Sequence, residues 1–216
     1  MTAAQLESLS LEGVHSLEVR WILPGALTAA AAGWFGRFPA ETRVVEDTYL
    51  LDPHLPGLSV KVRGGRALEV KAYRGSPGQL ELAGCAHGRL ESWQKWSFPH
   101  GPPGPGSADP ASWRPVRKRR RISWFSQATE GGVPGLGGEA RCAVELTEVD
   151  ARGEAWWTLG FEATGPSGAL RSELDAAAAL VFAQALPGGL ELGMGDSMSY
   201  AQWLRRRPAA APGRWP

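Results

Sequence analysis

The chain contains little cysteine, and its histidines are few and scattered. The two cysteines, Cys85 and Cys142, lie far apart in the 216 residues and form no CxxC pair. Their number and spacing argue against a disulfide framework and against a thiolate metal site, and they suit a reducing compartment. The four histidines share no spacing typical of metal ligands.

Long apolar runs and an excess of one charge sign are also missing. The longest apolar run, residues 176–183, is too short to cross a bilayer, and residues 1–10 lack the features of a signal peptide. The formal net charge is +1, from 23 Lys and Arg against 22 Asp and Glu, so no overall basic field attracts nucleic acid. We therefore expect a cytoplasmic protein with no membrane partner and no nucleic-acid partner. Its oligomeric state stays open.

Short runs that alternate ionic and apolar residues are the main feature that the chain does contain. They occupy residues 17–21, 58–63 and 68–71. A strand points successive side chains to opposite faces, so each run places its ionic groups on one face and its aliphatic groups on the other. If the sheet closes into a barrel with the charges inward, the result is an ion-lined tunnel suited to a polyanion.

The distribution of strands, turns and helices predicts one α+β domain. Many strands joined by tight turns indicate a mainly antiparallel sheet with a few helices packed outside. The predicted domain covers residues 14–204, between an N-terminal extension at 1–13 and a disordered tail at 205–216. A Gly- and Pro-rich segment at 99–110 is predicted to be a mobile loop, and the clearest helix covers 172–185.

Basic residues recur at positions that would share one face of the sheet. A hairpin would bring Lys61, Arg63 and Lys71 together, and such like charges repel one another unless an anion lies among them. Guanidinium groups match phosphate oxygens in pairs, and ammonium groups act on them as point charges. The residues predicted to bind substrate phosphates are Arg20, Lys61, Arg63, Lys71, Lys95, Lys118 and Arg120.

Several acidic residues sit between apolar neighbours, as carboxylates facing a barrel interior would. Among these, Glu18, Glu145 and Glu162 are candidate ligands for a hard cation such as Mg²⁺, which would bridge to phosphate oxygens. The alternative is that each of these glutamates pairs with a neighbouring cation. For Glu69 the ion pair is the favoured interpretation.

Taken in order along residues 17–204, these motifs resemble the CYTH superfamily, the triphosphate tunnel metalloenzymes. The quoted stretches are EVR at 18–20, DTYLLD at 47–52, LSVKVR at 58–63, LEVK at 68–71 and VRKRRR at 116–121. The resemblance implies that the sheet closes into a barrel around a tunnel, with a few helices packed outside. It implies a metal-dependent phosphohydrolase that uses Mg²⁺ or Mn²⁺ and acts on a small-molecule triphosphate or on inorganic polyphosphate. It also implies that Glu18, Glu145 and Glu162 are the catalytic and metal-binding residues.

The chain departs from the superfamily pattern where that pattern supplies carboxylates. Its ExExK motif falls on residues 16–20, with Ser16 in place of the first glutamate and Arg20 in place of the lysine. Later ExE pairs are reduced to the single residues Glu145 and Glu162. The alternative function is therefore a non-catalytic CYTH-like module that binds a nucleotide or a polyphosphate.

Two further points remain for the structure to decide. The segment at 196–204 resembles a closing segment of the superfamily, so Tyr200 and Trp203 are expected to seal the barrel and not to touch substrate. A plain β-barrel without a ligand is a third possibility, and it predicts that the basic residues of the strands point outward into solvent.

Overall fold

A computed structural model describes residues 13–82, 84–99, 113–127 and 140–206. Over these ranges the chain forms ten strands and three α helices. Most of the predicted N-terminal extension, of the Gly- and Pro-rich loop and of the predicted tail lies outside the described residues. None of the helices in the described ranges is long and apolar enough to cross a membrane.

The strands make one barrel and one small hairpin. They are β1 (Val14–Pro24), β2 (Glu41–Leu50), β3 (Leu58–Arg63), β4 (Ala67–Gly75), β5 (Gln79–Leu82), β6 (Ala86–Arg89), β7 (Glu91–Pro99), β8 (Trp113–Phe125), β9 (Arg141–Ala151) and β10 (Glu154–Thr164). Eight of the described strands close the barrel in the order β1-β10-β9-β8-β2-β3-β4-β7, and all its neighbouring pairs are antiparallel. The α+β fold with a closed barrel is confirmed.

Two helices cover one side of the barrel. They are α1 (Ala29–Phe35) and α2 (Leu170–Phe182), and they share an apolar core with the outward side chains of β1, β9 and β10. Helix α2 begins two residues before the predicted start, because a 3-10 turn at Ser167–Ala169 leads directly into it. The hairpin of β5 and β6, which the sequence analysis does not predict, joins the same core through Leu80 and Ala86.

The alternation of side chains along β1 explains why its ionic residues point into the barrel. Val19 and Trp21 are almost fully buried in the apolar core outside the barrel. The residues between and before them, Glu18 and Arg20, line the cavity inside the barrel. Because helices α1 and α2 bury the apolar face of β1, the ionic face of the same strand points into the barrel.

The third helix, α3 (Tyr200–Arg206), closes one end of the barrel. Its residues Trp203 and Leu204 are buried in a second apolar cluster. The barrel residues in that cluster are Ile22, Tyr49, Val116, Val149 and Ala151. Trp203 thus seals the barrel as predicted, whereas Tyr200 lines the cavity as well as packing in this cluster.

Arg205 anchors α3 to the turn between β2 and β3. Its guanidinium donates hydrogen bonds to the backbone carbonyls of Pro56, at 3.1 Å, and Leu55, at 3.0 Å. The predicted domain boundary at Leu204 therefore falls inside a helix that continues to Arg206.

Candidate functional site

The interior of the barrel is a cavity lined by paired charges. Six basic and six acidic residues of the described chain line it, and the space open to water-sized molecules is ≈ 70 Å³. That space holds about five waters. The basic residues are Arg20, Lys61, Arg63, Lys71, Lys118 and Arg120, and the acidic ones are Glu18, Asp47, Glu69, Glu91, Glu145 and Glu162.

The structure brings the predicted site residues together. All of the predicted basic and acidic residues line the cavity except Lys95, whose Nζ lies at its edge, 3.8 Å from Oε1 of Glu162. The possibility of a barrel whose charges face solvent is therefore wrong. The charges point inward because the outward side chains of β1, β9 and β10 are apolar and form the core under the helices.

The inner cluster, defined as Asp47, Tyr49, Lys61 and Lys118, lies nearest to α3. Oδ2 of Asp47 accepts hydrogen bonds from Nζ of Lys118 at 2.8 Å and from Nζ of Lys61 at 3.2 Å. Asp47 is 1% exposed. Burial alone raises the pKa of Asp47, but the charges of Lys61 and Lys118 outweigh burial and hold that pKa well below its ordinary value.

Lys118 is enclosed by aromatic rings. Its Nζ donates to the hydroxyl of Tyr49 at 2.6 Å and lies 4.1 Å from the centroid of the Tyr200 ring. Burial, and next the charge of Lys61, hold the pKa of Lys118 well below its ordinary value. A lysine in this state is a buried point charge that can give up a proton more readily than an exposed lysine.

Glu69 forms the ion pair that the sequence favoured. Nη1 of Arg63 lies 2.9 Å from Oε1 of Glu69, and Nζ of Lys61 lies 3.4 Å from its Oε2. Among the described residues, three buried atoms of this region have no hydrogen-bond partner: Oδ1 of Asp47, Nε of Arg63 and Oε2 of Glu69. Unfilled hydrogen-bonding capacity in a buried ionic site indicates room for water or for a polar ligand.

Arg20 and Arg120 both hold Glu145. A nitrogen of Arg120 donates to Oε2 of Glu145, while Nη1 of Arg20 lies 3.6 Å from its Oε1. Burial raises the pKa of Glu145, but the two arginines outweigh burial and keep that pKa well below its ordinary value. Opposite Arg20 on β10 stands Gly160, where a Cβ atom would lie 2.7 Å from Cζ of Arg20. This glycine therefore makes the space that the guanidinium fills.

The outer cluster, defined as Glu18, Lys71 and Glu162, has the opposite composition. Nζ of Lys71 lies 2.6 Å from Oε1 of Glu18 and 3.1 Å from Oε1 of Glu162. The hydroxyl of Ser16 donates to the same Oε1 of Glu18 at 2.7 Å. Although burial lowers the pKa of Lys71, Glu162 and Glu18 outweigh burial and raise it.

Glu91 extends this cluster into a row of three carboxylates. Glu18 of β1 pairs in register with Glu91 of β7 on one side and with Glu162 of β10 on the other. Nε1 of Trp93 donates to Oε2 of Glu91 at 3.1 Å. Burial raises the pKa of Glu91, and the charge of Glu18 adds to the rise. We call Glu91, Glu18 and Glu162 the acidic row.

The three residues predicted to hold a divalent metal do not form a site that fits one. No group of three or more His, Cys, Asp or Glu residues in the described part of the chain is arranged to hold a metal ion. Glu18 and Glu162 share the Lys71 ammonium. The oxygens of Glu145 accept from Arg120 and Thr147. The donors that a Mg²⁺ or Mn²⁺ ion needs are therefore already engaged by cations and by a hydroxyl.

Exposure of the lysines indicates where a ligand enters. The side chain of Lys118, next to the α3 end, is 3% exposed, that of Lys71 is 17% exposed and that of Lys95 is 24% exposed. Among the described residues the cavity is thus sealed at the α3 end and more open towards Lys95 and towards Arg63, whose side chain is 34% exposed.

Among the lining residues that the sequence did not single out as site residues are Asp47, Tyr49 and Glu91. Asp47 and Tyr49 alternate along β2 and stand opposite Arg63 and Lys61. The alternation is visible in the sequence, and the register would have placed both residues among the cations. Glu91 begins its strand beside Ser92, so nothing in its neighbours marks it as an inward carboxylate.

Comparisons with known proteins leave the family open. No family model matches this sequence, and no curated protein matches it. A solved structure of a mimivirus capping enzyme triphosphatase is 11% identical to this chain, with a TM-score of 0.39. The match covers 82% of this chain and 92% of that chain. A likeness with this identity and TM-score carries no argument about function.

Proposed function

We propose that the barrel binds the phosphate chain of a small-molecule triphosphate or of inorganic polyphosphate. One observation supports this most strongly. Among the described residues, four basic groups of the cavity, with side chains 3–16% exposed, are held by two carboxylates. The basic groups are Arg20, Lys61, Lys118 and Arg120, and the carboxylates are Asp47 and Glu145; Lys61 also reaches Glu69 at 3.4 Å. This local excess of buried positive charge suits an anion with several charges close together.

The carboxylates hold these cations in place before a ligand arrives. Glu145 fixes Arg20 and Arg120, and Asp47 fixes Lys61 and Lys118. Long basic side chains that are already ordered lose less entropy when they bind an anion. The Arg63 side chain is 34% exposed and its Nε lies 3.8 Å from Oδ1 of Asp47, so a phosphate oxygen would compete with that carboxylate for the guanidinium.

The sealed end sets the direction in which a chain enters. Because Trp203 and Leu204 close the end beyond Tyr200, a phosphate chain enters end first. Its terminal phosphate, which carries the most charge, then meets the excess of cations in the inner part. Metal-free contacts of this kind are sufficient for binding, since Arg and Lys bind phosphate directly.

Hydrolysis of the bound chain is a second candidate function, favoured by the state of Lys118. Its lowered pKa and its contact with Tyr49 at 2.6 Å make it a candidate acid for the leaving phosphate oxygen. Arg20 and Arg120 would neutralise charge that develops on the transferred phosphoryl group. This candidate needs no step through a metal ion.

Binding is tested by titration calorimetry with tripolyphosphate at low ionic strength. Cyclic trimetaphosphate is the matched ligand control, because it contains phosphoanhydride groups but has no chain end. We expect tripolyphosphate to bind and trimetaphosphate to bind at least tenfold more weakly. Failure of tripolyphosphate, ATP and thiamine triphosphate to bind would contradict the proposed function, and phosphate release from the same compounds tests hydrolysis.

A matched pair of neighbouring arginines localises the binding. Arg120 lines the tunnel, whereas the side chain of Arg119 is 58% exposed on the other face of β8. Losing a charge-assisted hydrogen bond costs about 1.5–3 kcal/mol, so Arg120→Gln should weaken tripolyphosphate binding by about 10–100-fold. Arg119→Gln should change it by less than about twofold. Equal effects of the two variants would place the anion outside the tunnel.

A further inference from the structure

We propose that Lys71 is the resident counter-cation of the acidic row and takes the place of a divalent ion there, so that the tunnel binds a phosphate chain without metal. This inference rests on the proposed function and specifies how the tunnel's charge is balanced. It also explains why residues predicted to hold Mg²⁺ or Mn²⁺ do not form a site that fits either ion.

The first step is the position of the ammonium. Lys71 reaches the row from β4, which is separated from β1 by β7 in the barrel order. Its Nζ lies 2.6 Å from Glu18 and 3.1 Å from Glu162, within hydrogen-bond distance of both carboxylates. A metal ion that used these two oxygens would have to displace a buried, hydrogen-bonded charge, and the displaced lysine would need a new partner.

The second step is the charge that the row presents. The outer part of the cavity holds three carboxylates against two described cations, Lys71 and Lys95. Nζ of Lys95 is 3.8 Å from Glu162, so it contributes less than Lys71. Without Lys71 the row would be a part-buried group of like charges compensated only by more distant cations, and such a group takes up either protons or a cation.

The third step is the neighbour of Glu18 on the same face of β1. Ser16 is fully buried, and its hydroxyl donates to Oε1 of Glu18 at 2.7 Å. A serine contributes no negative charge, so β1 brings a single carboxylate to the row. One ammonium can then bridge Glu18 and Glu162, whereas a further carboxylate on β1 would favour a divalent ion.

The wild-type protein provides the first test. Tripolyphosphate is titrated by calorimetry in excess EDTA and again with Mg²⁺ present. We expect binding in EDTA, with a dissociation constant within about fivefold of that with Mg²⁺. Binding with Mg²⁺ and none in EDTA would overturn the inference while leaving the proposed function standing.

Substitution of Lys71 provides the second test, and it uses metal alone. In Lys71→Met the acidic row loses its cation, so we expect one Mn²⁺ per chain to bind, measured by electron paramagnetic resonance without any phosphate. Wild type should bind at least tenfold more weakly. Lys95→Met is the matched control, because it removes a lysine at the edge of the same cavity and should gain no Mn²⁺ site.

The double variant Glu18→Gln with Lys71→Met removes both the lysine and part of the row. It should lose the Mn²⁺ site that Lys71→Met gains. Because it also removes one negative charge from the row, it can be measured even if Lys71→Met folds poorly in the absence of metal. Mn²⁺ should also raise the melting temperature of Lys71→Met and leave that of the double variant unchanged. Equal Mn²⁺ binding by wild type and Lys71→Met would overturn the inference.

The two proposals fail in different ways. If wild type binds no phosphate chain with or without Mg²⁺, the proposed function fails and with it the metal-free binding. The Mn²⁺ measurements still decide whether Lys71 is the counter-cation, because they contain no phosphate.

Discussion

Two clusters of buried charges in the same barrel have opposite compositions. In the inner cluster one carboxylate, Asp47, holds two lysines, at 2.8 and 3.2 Å. In the outer cluster one lysine, Lys71, holds two carboxylates, at 2.6 and 3.1 Å. Each arrangement pairs its charges, but the first leaves positive charge in excess and the second leaves negative charge in excess. Two clusters can therefore both pair their charges and still differ in the sign of the charge that is left over, and this sign determines which kind of ion each can attract.

The two clusters also differ in exposure. The inner cluster lies beside the sealed end, where solvent exposure is low and a cation acts more strongly on an anion. The outer cluster lies on the more exposed side, where the side chains of Glu18 and Glu162 are 16% and 19% exposed. Under the proposed function, the carboxylates there make the mouth less favourable for an anion than the inner cluster.

Breaking the inner cluster should have the largest effect. Asp47→Asn leaves two buried lysines without their carboxylate, and we expect the free energy of unfolding to fall by about 3–5 kcal/mol in urea titrations. Because the pKa of Asp47 is held below its ordinary value, its contribution is present above pH 4 or so, where the unfolded chain ionises, and is lost as the pH falls further.

Added tripolyphosphate should restore part of that loss, since a phosphate can take the place of the missing carboxylate among the lysines. The control is Glu41→Gln, which breaks an exposed pair with Arg43 and should cost at most about 0.5 kcal/mol. A cost for Asp47→Asn no larger than that of the control would mean that the inner cluster does not depend on Asp47.

Removing one cation of the inner cluster should change both ligand binding and the pH dependence of stability. Lys118→Met should weaken tripolyphosphate binding by about 10–100-fold, measured by calorimetry at pH 7. The pKa of Lys118 is lowered in the fold, so the unfolded chain binds the proton more tightly, and wild-type stability should rise with pH up to the ordinary lysine value of 10.5. Lys118→Met should lack that part of the rise. Identical pH profiles would show that Lys118 titrates normally.

Removing one negative charge from the acidic row should have the smallest effect on stability, and it should raise stability instead of lowering it. Burial and Glu18 raise the pKa of Glu91, so its ionised form destabilises the fold above the ordinary glutamate value of 4.5. Glu91→Gln should raise the melting temperature by about 2–4 °C at pH 7, equivalent to about 1 kcal/mol. The gain should disappear near pH 4, where the wild-type carboxyl is protonated.

The matched control for Glu91 is Glu81→Gln, whose side chain is 71% exposed. It should leave the melting temperature within about 1 °C of wild type at both pH values. A lower melting temperature for Glu91→Gln at pH 7 would show that the ionised carboxylate of Glu91 stabilises the row.

Much of the site follows from alternation, which is a local property. Lys61 and Arg63, two residues apart on β3, had to share a face, and the apolar residues beside them had to share the other. The same reasoning placed Glu18 with Arg20. Prediction stopped at contacts between strands that are not joined by a hairpin, because alternation says nothing about which distant strands become neighbours.

Period-two patterning and turn residues act over a few residues, so they were enough to predict a mainly antiparallel sheet with one ionic face. Barrel closure and strand register are tertiary properties, and they determine which charges meet. Lys71 reaches Glu18, 53 positions away, and Glu162, 91 positions away, because closure and register bring them together. Which cation balances the acidic row therefore depends on contacts between side chains that are distant in sequence.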